Sequence, residues 1–129
     1  MNTAYMKSKE SEINSLQQAK LIAGAIEDKK GADIRIIDVT GVSPICDIIV
    51  IASADSAPQL KALQGEILKQ MKDATGSDRC RTAGDPDSAW IVIDFFDVIV
   101  HLFLPEAREY YAIEDLWKNG KEIPIKKSK

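Results

Sequence analysis

A chain of 129 residues, 45% apolar and 29% charged, has the size and composition of one globular domain. The net charge of −3 excludes a basic nucleic-acid-binding domain, so no DNA partner is expected. The sequence shows no membrane-length apolar run and no secretory signal, and its two cysteines lack zinc-site spacing. We therefore expect a soluble, cytoplasmic protein that holds neither a cofactor nor a metal and makes no membrane contact.

The first predicted element is a helix. Residues 1–13 lack periodicity and are expected to form a flexible leader. Asn14 and Gln17 have the spacing of a capping box, and apolar residues then recur at helical spacing. Gly31 follows two lysines and is expected to end the helix with a positive φ.

Two strands and a second helix follow. Residues 33–39 are rich in β-branched side chains, and residues 47–52 form a nearly continuous apolar run. Such a run is typical of a strand covered on both faces. Ser56 and Gln59 repeat the capping spacing and predict a helix that Gly76 ends.

A hairpin is the most informative predicted segment. A short strand near 79–83 precedes strands 90–95 and 98–104, and residues 96–97 form the loop between them. This loop pairs Trp90 with Phe103 and gives the hairpin one fully apolar face. The opposite face carries Trp90, Val92, Asp94, Ile99, His101 and Phe103.

The last predicted element is a helix from Pro105 to about Lys118, followed by a lysine-rich flexible tail, residues 119–129. The element order predicts an α/β fold: a single domain with a mixed β-sheet of about five strands flanked by helices.

The mixed hairpin face supports two interpretations. Tryptophan and other aromatic residues dominate binding hot spots, so the face could bind a partner. Alternatively, a helix covers it, and Asp94 and His101 pair with each other or with backbone. The assignment also depends on the loop, because a three-residue loop would regroup the side chains.

Catalytic signatures are lacking. Aspartates at strand ends, such as Asp38 and Asp47, could hold Mg²⁺, but the sequence has no phosphate-binding glycine loop, and such residues more often form turns and caps. His101 lies in an apolar strand without a local nucleophile. We therefore predict a binding protein that is not an enzyme, with a nucleotide- and Mg-binding enzyme as the alternative.

Residues 90–117, WIVIDFFDVIVHLFLPEAREYYAIEDLW, closely resemble the ribosomal silencing factor (Iojap-like) family. Residues 28–53 and Gly84 agree with its pattern, and the likeness covers about 14–118, the predicted ribosome-binding domain. One departure is Phe96, which replaces the family's turn glycine. The matching positions of the first segment are Trp90, Asp94, Asp97, His101, Phe103, Arg108, Tyr111, Ile113, Glu114, Leu116 and Trp117.

The resemblance implies a fold like that of nucleotidyltransferases without their catalytic motifs. It also implies binding to the large ribosomal subunit through the interface protein L-fourteen, which blocks the small subunit and represses translation when nutrients are scarce. Contact of the lysine tail with ribosomal RNA and formation of a homodimer are left open.

The resemblance also assigns partner-binding residues. Trp90 is expected to anchor the partner, while Asp94, Glu114 and Asp97 face its basic groups. His101 and Phe103 are also expected to contact the partner. Four further residues either contact the partner or hold the C-terminal helix on the sheet: Arg108, Tyr111, Leu116 and Trp117.

Overall fold

The computed structural model describes residues 13–125 and shows three helices and a mixed six-stranded sheet. The expected flexibility of residues 1–12 and 126–129 lies outside the described part. The helices are α1 (Ser15–Asp28), α2 (Ala57–Thr75) and α3 (Pro105–Tyr111). The strands are β1 (Ala32–Asp38), β2 (Ile48–Ser53), β3 (Arg81–Asp85), β4 (Trp90–Asp94), β5 (Val98–Phe103) and β6 (Lys121–Ile123).

The strand order is β3-β4-β5-β2-β1-β6, and within residues 13–125 only β2 and β5 run parallel. This confirms the predicted single α/β domain with a mixed sheet. Every residue of β2 is buried, because the strand lies at the centre of the sheet between two apolar layers. Val50 joins the core beneath α1 and α2, and Ile49 and Ile51 join a smaller cluster on the opposite face.

Helix α1 begins as the capping spacing predicts. The Gln17 backbone N–H donates to Asn14 Oδ1, and the Asn14 N–H donates to Gln17 Oε1, each at 2.9 Å. Its end differs from the prediction, because Lys30 takes the positive φ of 67° that was expected of Gly31. Gly31 instead permits close packing, since a Cβ there would lie 2.3 Å from Ile26 Cγ2.

Helix α2 also follows its predicted limits. Ser56 Oγ accepts from the Gln59 N–H at 3.2 Å, although the Gln59 side chain accepts from Asp55 rather than from Ser56. Gly76 ends the helix in the left-handed conformation with φ 75°. Gln59 Nε2 also donates to the carbonyl of Lys30, which ties the start of α2 to the end of α1.

The hairpin has the predicted register, with Trp90 opposite Phe103 and Asp94 opposite Ile99. Its loop is Phe96–Asp97, as predicted, and the Phe95 N–H donates to the Val98 carbonyl at 2.9 Å. Phe96 has a φ of 78°, a conformation that is unfavourable for a bulky side chain.

The C-terminal region differs from the prediction in two ways. The helix that was expected to reach Lys118 stops at Tyr111, because Ala112 is left-handed with φ 46°, and a 3-10 helix covers Ile113–Trp117. Residues 121–123 of the predicted tail form β6 and pair with β1. Local sequence gave no sign of β6, because its pairing depends on the distant strand β1.

Strain at Phe96 can be measured by comparing two truncations. Phe96→Ala and Phe96→Gly both remove the ring, but only glycine tolerates the positive φ without a Cβ clash. We expect Phe96→Gly to be more stable than Phe96→Ala by about 1 kcal/mol in urea unfolding. Equal stabilities would show that the turn relaxes and stores no strain.

Candidate functional site

Two layers cover the sheet unequally. The face formed by Ile91, Ile93, Val98, Val100 and Leu102 is fully buried against α1 and α2. The opposite face, called here the second face, is covered by α3 and the following 3-10 helix, which place Ile113 and Trp117 over β1 and β2. Within residues 13–125, β4 keeps Trp90, Val92 and Asp94 only partly buried on this face. The second face therefore remains half open.

Trp90 is at the centre of an aromatic cluster at one end of the second face. Its ring centroid lies 4.6 Å from that of Tyr111, 5.0 Å from that of Phe103 and 5.9 Å from that of His101. Phe103 is fully buried, which contradicts its predicted role as a contact residue. Its ring lies on the sheet beneath Trp90 and supports that residue, because the β4–β5 register places the two directly opposite.

Trp90 Nε1 donates a hydrogen bond to His101 Nδ1 at 3.1 Å. The acceptor nitrogen must be unprotonated, so the contact requires the neutral ring. Burial lowers the pKa of His101 to about 4, which keeps the ring neutral at neutral pH. His101 therefore fixes the orientation of the indole, and the alternative pairing of His101 with Asp94 is wrong.

Arg108 joins α3 to the sheet. It donates to Glu114 Oε2 at 2.9 Å, to the Asp33 carbonyl at 2.7 Å and to Ser53 Oγ at 2.8 Å. Its side chain is only 12% exposed, and Ser53 is buried. Arg108 and Glu114 therefore hold the C-terminal segment on the sheet, and their opposite charges are paired with each other.

The other predicted residues are spread over the second face and the segment that covers it. Leu116 is 71% exposed, whereas Trp117 is partly buried against the cluster of the second face. Asp94 Oδ1 accepts from the Phe96 N–H at 2.7 Å and so shapes the β4–β5 loop. Asp97 lies in that loop, at the end of β4 opposite Trp90. The structure thus brings Trp90, His101, Phe103 and Tyr111 together and leaves Asp97 apart.

Tyr110 is a surface residue that the sequence interpretation missed. It is 81% exposed, the largest exposure among the large apolar and aromatic side chains of residues 13–125. Consecutive tyrosines were an available signal, because helical neighbours point about 100° apart and cannot share one buried face. Tyr110 contacts the Tyr111 ring edge-on, with 5.0 Å between centroids.

A polar recess of about 380 Å³ lies beside these tyrosines. Arg35 and Arg108 line it, and both are paired with carboxylates, Arg35 with Glu122 at 2.6 Å. Glu109 and Asp115 also line it, and neither forms an ion pair within residues 13–125. The recess therefore presents two carboxylates that form no ion pair within residues 13–125, next to exposed aromatic surface.

The two aspartates at the strand ends have structural hydrogen bonds, Asp38 within a turn and Asp47 to the first residue of α1. Asp38 Oδ1 accepts from the Thr40 N–H at 2.9 Å, and Asp47 Oδ2 accepts from Ser15 Oγ at 3.0 Å. Residues 13–125 contain no group of three or more His, Cys, Asp or Glu side chains placed to hold a metal ion. No helix in that range has the length and apolar character to cross a bilayer.

An α/β domain with an exposed aromatic surface beside unpaired acids has the character of a protein-binding module. The family model for "Ribosomal silencing factor during starvation" matches residues 12–129, so the chain belongs to the ribosomal silencing factor family. Ribosomal silencing factor RsfS of Chromobacterium violaceum is 37% identical over 103 residues, covering 80% of this chain and 84% of that protein. The Bacillus subtilis protein of the same name is 33% identical over 105 residues, covering 81% and 88%.

Similarity extends to a plastid protein and to a solved structure. The chain is 32% identical over 118 residues to the chloroplastic protein Iojap of Arabidopsis thaliana, covering 90% of this chain and 48% of that longer protein. A crystal structure of a Chromobacterium violaceum protein superposes with a TM-score of 0.77 at 31% identity, covering 90% of this chain and 95% of that chain.

Removing Arg108 should destabilise the fold strongly. Arg108→Met leaves the buried Ser53 without its partner and the partly buried Glu114 carboxylate with only a 3.9 Å contact to Arg35, and we expect a loss of about 2–4 kcal/mol in urea unfolding. Arg35→Met is the comparison, because Arg35 is 41% exposed, its closer partner Glu122 is 50% exposed, and its contact with Glu114 is the longer of the two. Arg35→Met should lose less than about 1 kcal/mol. Equal losses would contradict the anchoring role.

The neutral state of His101 predicts a pH dependence. The unfolded chain binds a proton near pH 6.5, whereas the folded protein binds it only near pH 4. Stability is therefore complete above about pH 6.5 and falls as the pH drops towards 4. Relative to His101→Gln, the wild type should lose about 3 kcal/mol between pH 7.5 and pH 4. Parallel urea-unfolding profiles would contradict a buried neutral His101.

Proposed function

We propose that this protein represses translation by binding the large ribosomal subunit through L-fourteen and sterically blocking the small subunit. Family membership supports a role at the ribosome. The Trp90 cluster, Tyr110 and Leu116, with the adjacent acidic recess, form the surface that we assign to the partner. Blocking requires only bulk at the subunit interface, so the proposal needs no catalytic residue.

The combination of exposed apolar side chains and unpaired acids on one segment carries this proposal. Tyr110 and Leu116 are 81% and 71% exposed, and their sequence neighbours Glu109 and Asp115 both line the recess. Burying such apolar side chains against a partner is favourable, and tyrosine is enriched among interface hot spots. Negative charge at the rim accelerates encounter with a basic partner. A basic protein surface with an apolar centre is therefore the expected complement.

Trp90 is expected to act mainly by shaping this surface. Its indole N–H is already bonded to His101, and its ring packs against Phe103 and Tyr111. The remaining partly exposed edge can contact the partner. Truncating Trp90 would therefore disturb both the fold and the interface, and Tyr110 and Leu116 give a cleaner test.

We predict that the double variant Tyr110→Ala/Leu116→Ala loses at least about tenfold in affinity for purified large subunits. Sucrose-gradient sedimentation with and without small subunits measures both binding and the loss of joined ribosomes. The double variant should leave the unfolding temperature within about 2 °C of the wild type, because both side chains are solvent-exposed. Ile45→Ala is the matched control, since Ile45 is 73% exposed in the β1–β2 connection.

Three outcomes contradict the proposal at different levels. A folded wild type that does not sediment with large subunits excludes ribosome binding itself. If the double variant binds large subunits with wild-type affinity, Tyr110 and Leu116 are not part of the contact surface, and the partner binds another exposed region. Binding without any decrease in joined ribosomes excludes the steric mechanism.

A further inference from the structure

Two arginines lie over an exposed aromatic ring at the end of the second face opposite Trp90. The Cζ atoms of Arg79 and Arg81 lie 5.2 Å and 5.6 Å from the ring centroid of Phe96. Both distances are within the range of a cation–π contact. Arg79 and Arg81 are exposed, and Phe96 is 37% exposed. The group therefore combines two cations and one aromatic ring, all accessible to solvent.

The two guanidinium groups have unused hydrogen-bonding capacity. Within residues 13–125, neither Arg79 nor Arg81 forms an ion pair, in contrast to Arg35 and Arg108. A guanidinium carries five N–H donors in a planar fork that matches a phosphate or a carboxylate.

The neighbouring acids are occupied by other partners. Asp78 lies 3.9 Å from Lys72 Nζ. Asp94 faces Arg81 across the β3–β4 ladder but accepts a hydrogen bond from the Phe96 N–H. Neither acid forms an ion pair with Arg79 or Arg81 within residues 13–125, so both guanidinium groups are available to an external anion.

Phe96 is held in an unfavourable conformation with its ring in solvent. Its φ of 78° belongs to the left-handed region, which bulky side chains rarely adopt. Non-glycine residues in such conformations cluster at functional sites, where the surrounding structure holds them in place. The ring belongs to neither buried cluster, so its role lies in its contact with the two arginines.

This group is continuous with the Trp90 surface. Arg81 pairs with Asp94 and Asp85 with Trp90, so alternation along β3 and β4 places Arg81 on the same face as Trp90. Trp90 and Asp94 are the two ends of β4, four residues and about 13 Å apart at roughly 3.3 Å per residue, and Phe96 lies in the loop that follows. A partner bound at the Trp90 end could therefore bring a second component to Phe96.

We propose that Arg79, Arg81 and Phe96 form a second contact site that binds RNA of the large subunit, a proposal that rests on the proposed function. The arginines would bind backbone phosphates, and an unpaired base would stack on the Phe96 ring. An acidic protein segment would use the cations but not the ring, so RNA fits the group better. The net charge of −3 makes free RNA binding weak. Anchoring at Trp90 strengthens it by raising the local concentration.

The test compares Arg79→Gln/Arg81→Gln with the wild type on purified large subunits over a series of salt concentrations. Losing two phosphate contacts should lower the slope of log affinity against log salt by about 1–2. Affinity near 100 mM salt should fall about tenfold, while affinity for isolated L-fourteen stays unchanged. Lys20→Gln/Lys61→Gln is the control, because it removes the same charge from exposed positions of α1 and α2 and should leave the slope unchanged.

A second measurement does not depend on ribosome binding. Fluorescence anisotropy with a labelled single-stranded 12-nucleotide RNA near 20 mM salt should show at least about fivefold weaker binding to the double arginine variant than to the wild type. Phe96→Leu should weaken binding with an unchanged salt slope, because it removes stacking and no charge.

Several outcomes would overturn the RNA site. An unchanged salt slope on subunits would do so, as would equally weakened binding to isolated L-fourteen, which would assign the arginines to the protein partner. If the wild type binds neither subunits nor L-fourteen, the proposed function fails, and the oligonucleotide measurement alone decides the RNA site. Equal oligonucleotide binding by wild type and variant would then exclude it.

Discussion

The two-sided burial of β2 is the constraint on which the rest of this structure depends. All six of its residues are buried, so the sheet needs an apolar layer on each face. Helices α1 and α2 form a complete layer on one face. On the other, the cover is the short segment from Pro105 to Trp117 together with Val39 and Cys46 of the β1–β2 connection, and it reaches β1, β2 and the end of β5. Half of that face stays partly open because this cover is smaller than the sheet face beneath it.

The covering segment links stability to the proposed binding surface. Arg108 fixes its first half through the Asp33 carbonyl and Ser53, and Ile113 anchors its second half in the smaller core. With these side chains turned inward, Tyr110 and Leu116 point to solvent because helical neighbours diverge. The exposed apolar residues Tyr110 and Leu116 therefore lie on a segment that two internal anchors hold in place. A segment held in this way loses little conformational entropy when it binds a partner, which suits a preorganised interface.

The open half of the second face has two chemically different ends. At the Trp90 end, a neutral histidine and a cluster of rings adjoin unpaired acids. At the Phe96 end, two arginines that form no ion pair within residues 13–125 lie over an aromatic ring. A single sheet face thus offers an acidic aromatic surface at one end and a basic aromatic surface at the other. Such an arrangement suits a partner made of both protein and nucleic acid, and a ribosomal subunit has that composition.

Sequence alone determined the α/β class, the limits of α1 and α2 within about two residues, and the hairpin register. These features depend on local capping, periodicity and loop length, which act within a few residues along the chain. Tertiary structure decided the rest. Residues 121–123 became a strand only because the edge of β1 was available, and Arg108 and Phe103 became internal supports because of distant neighbours. The last helix ends at the left-handed Ala112, and this change of direction places Ile113 in the core. No local sequence pattern indicates this geometry.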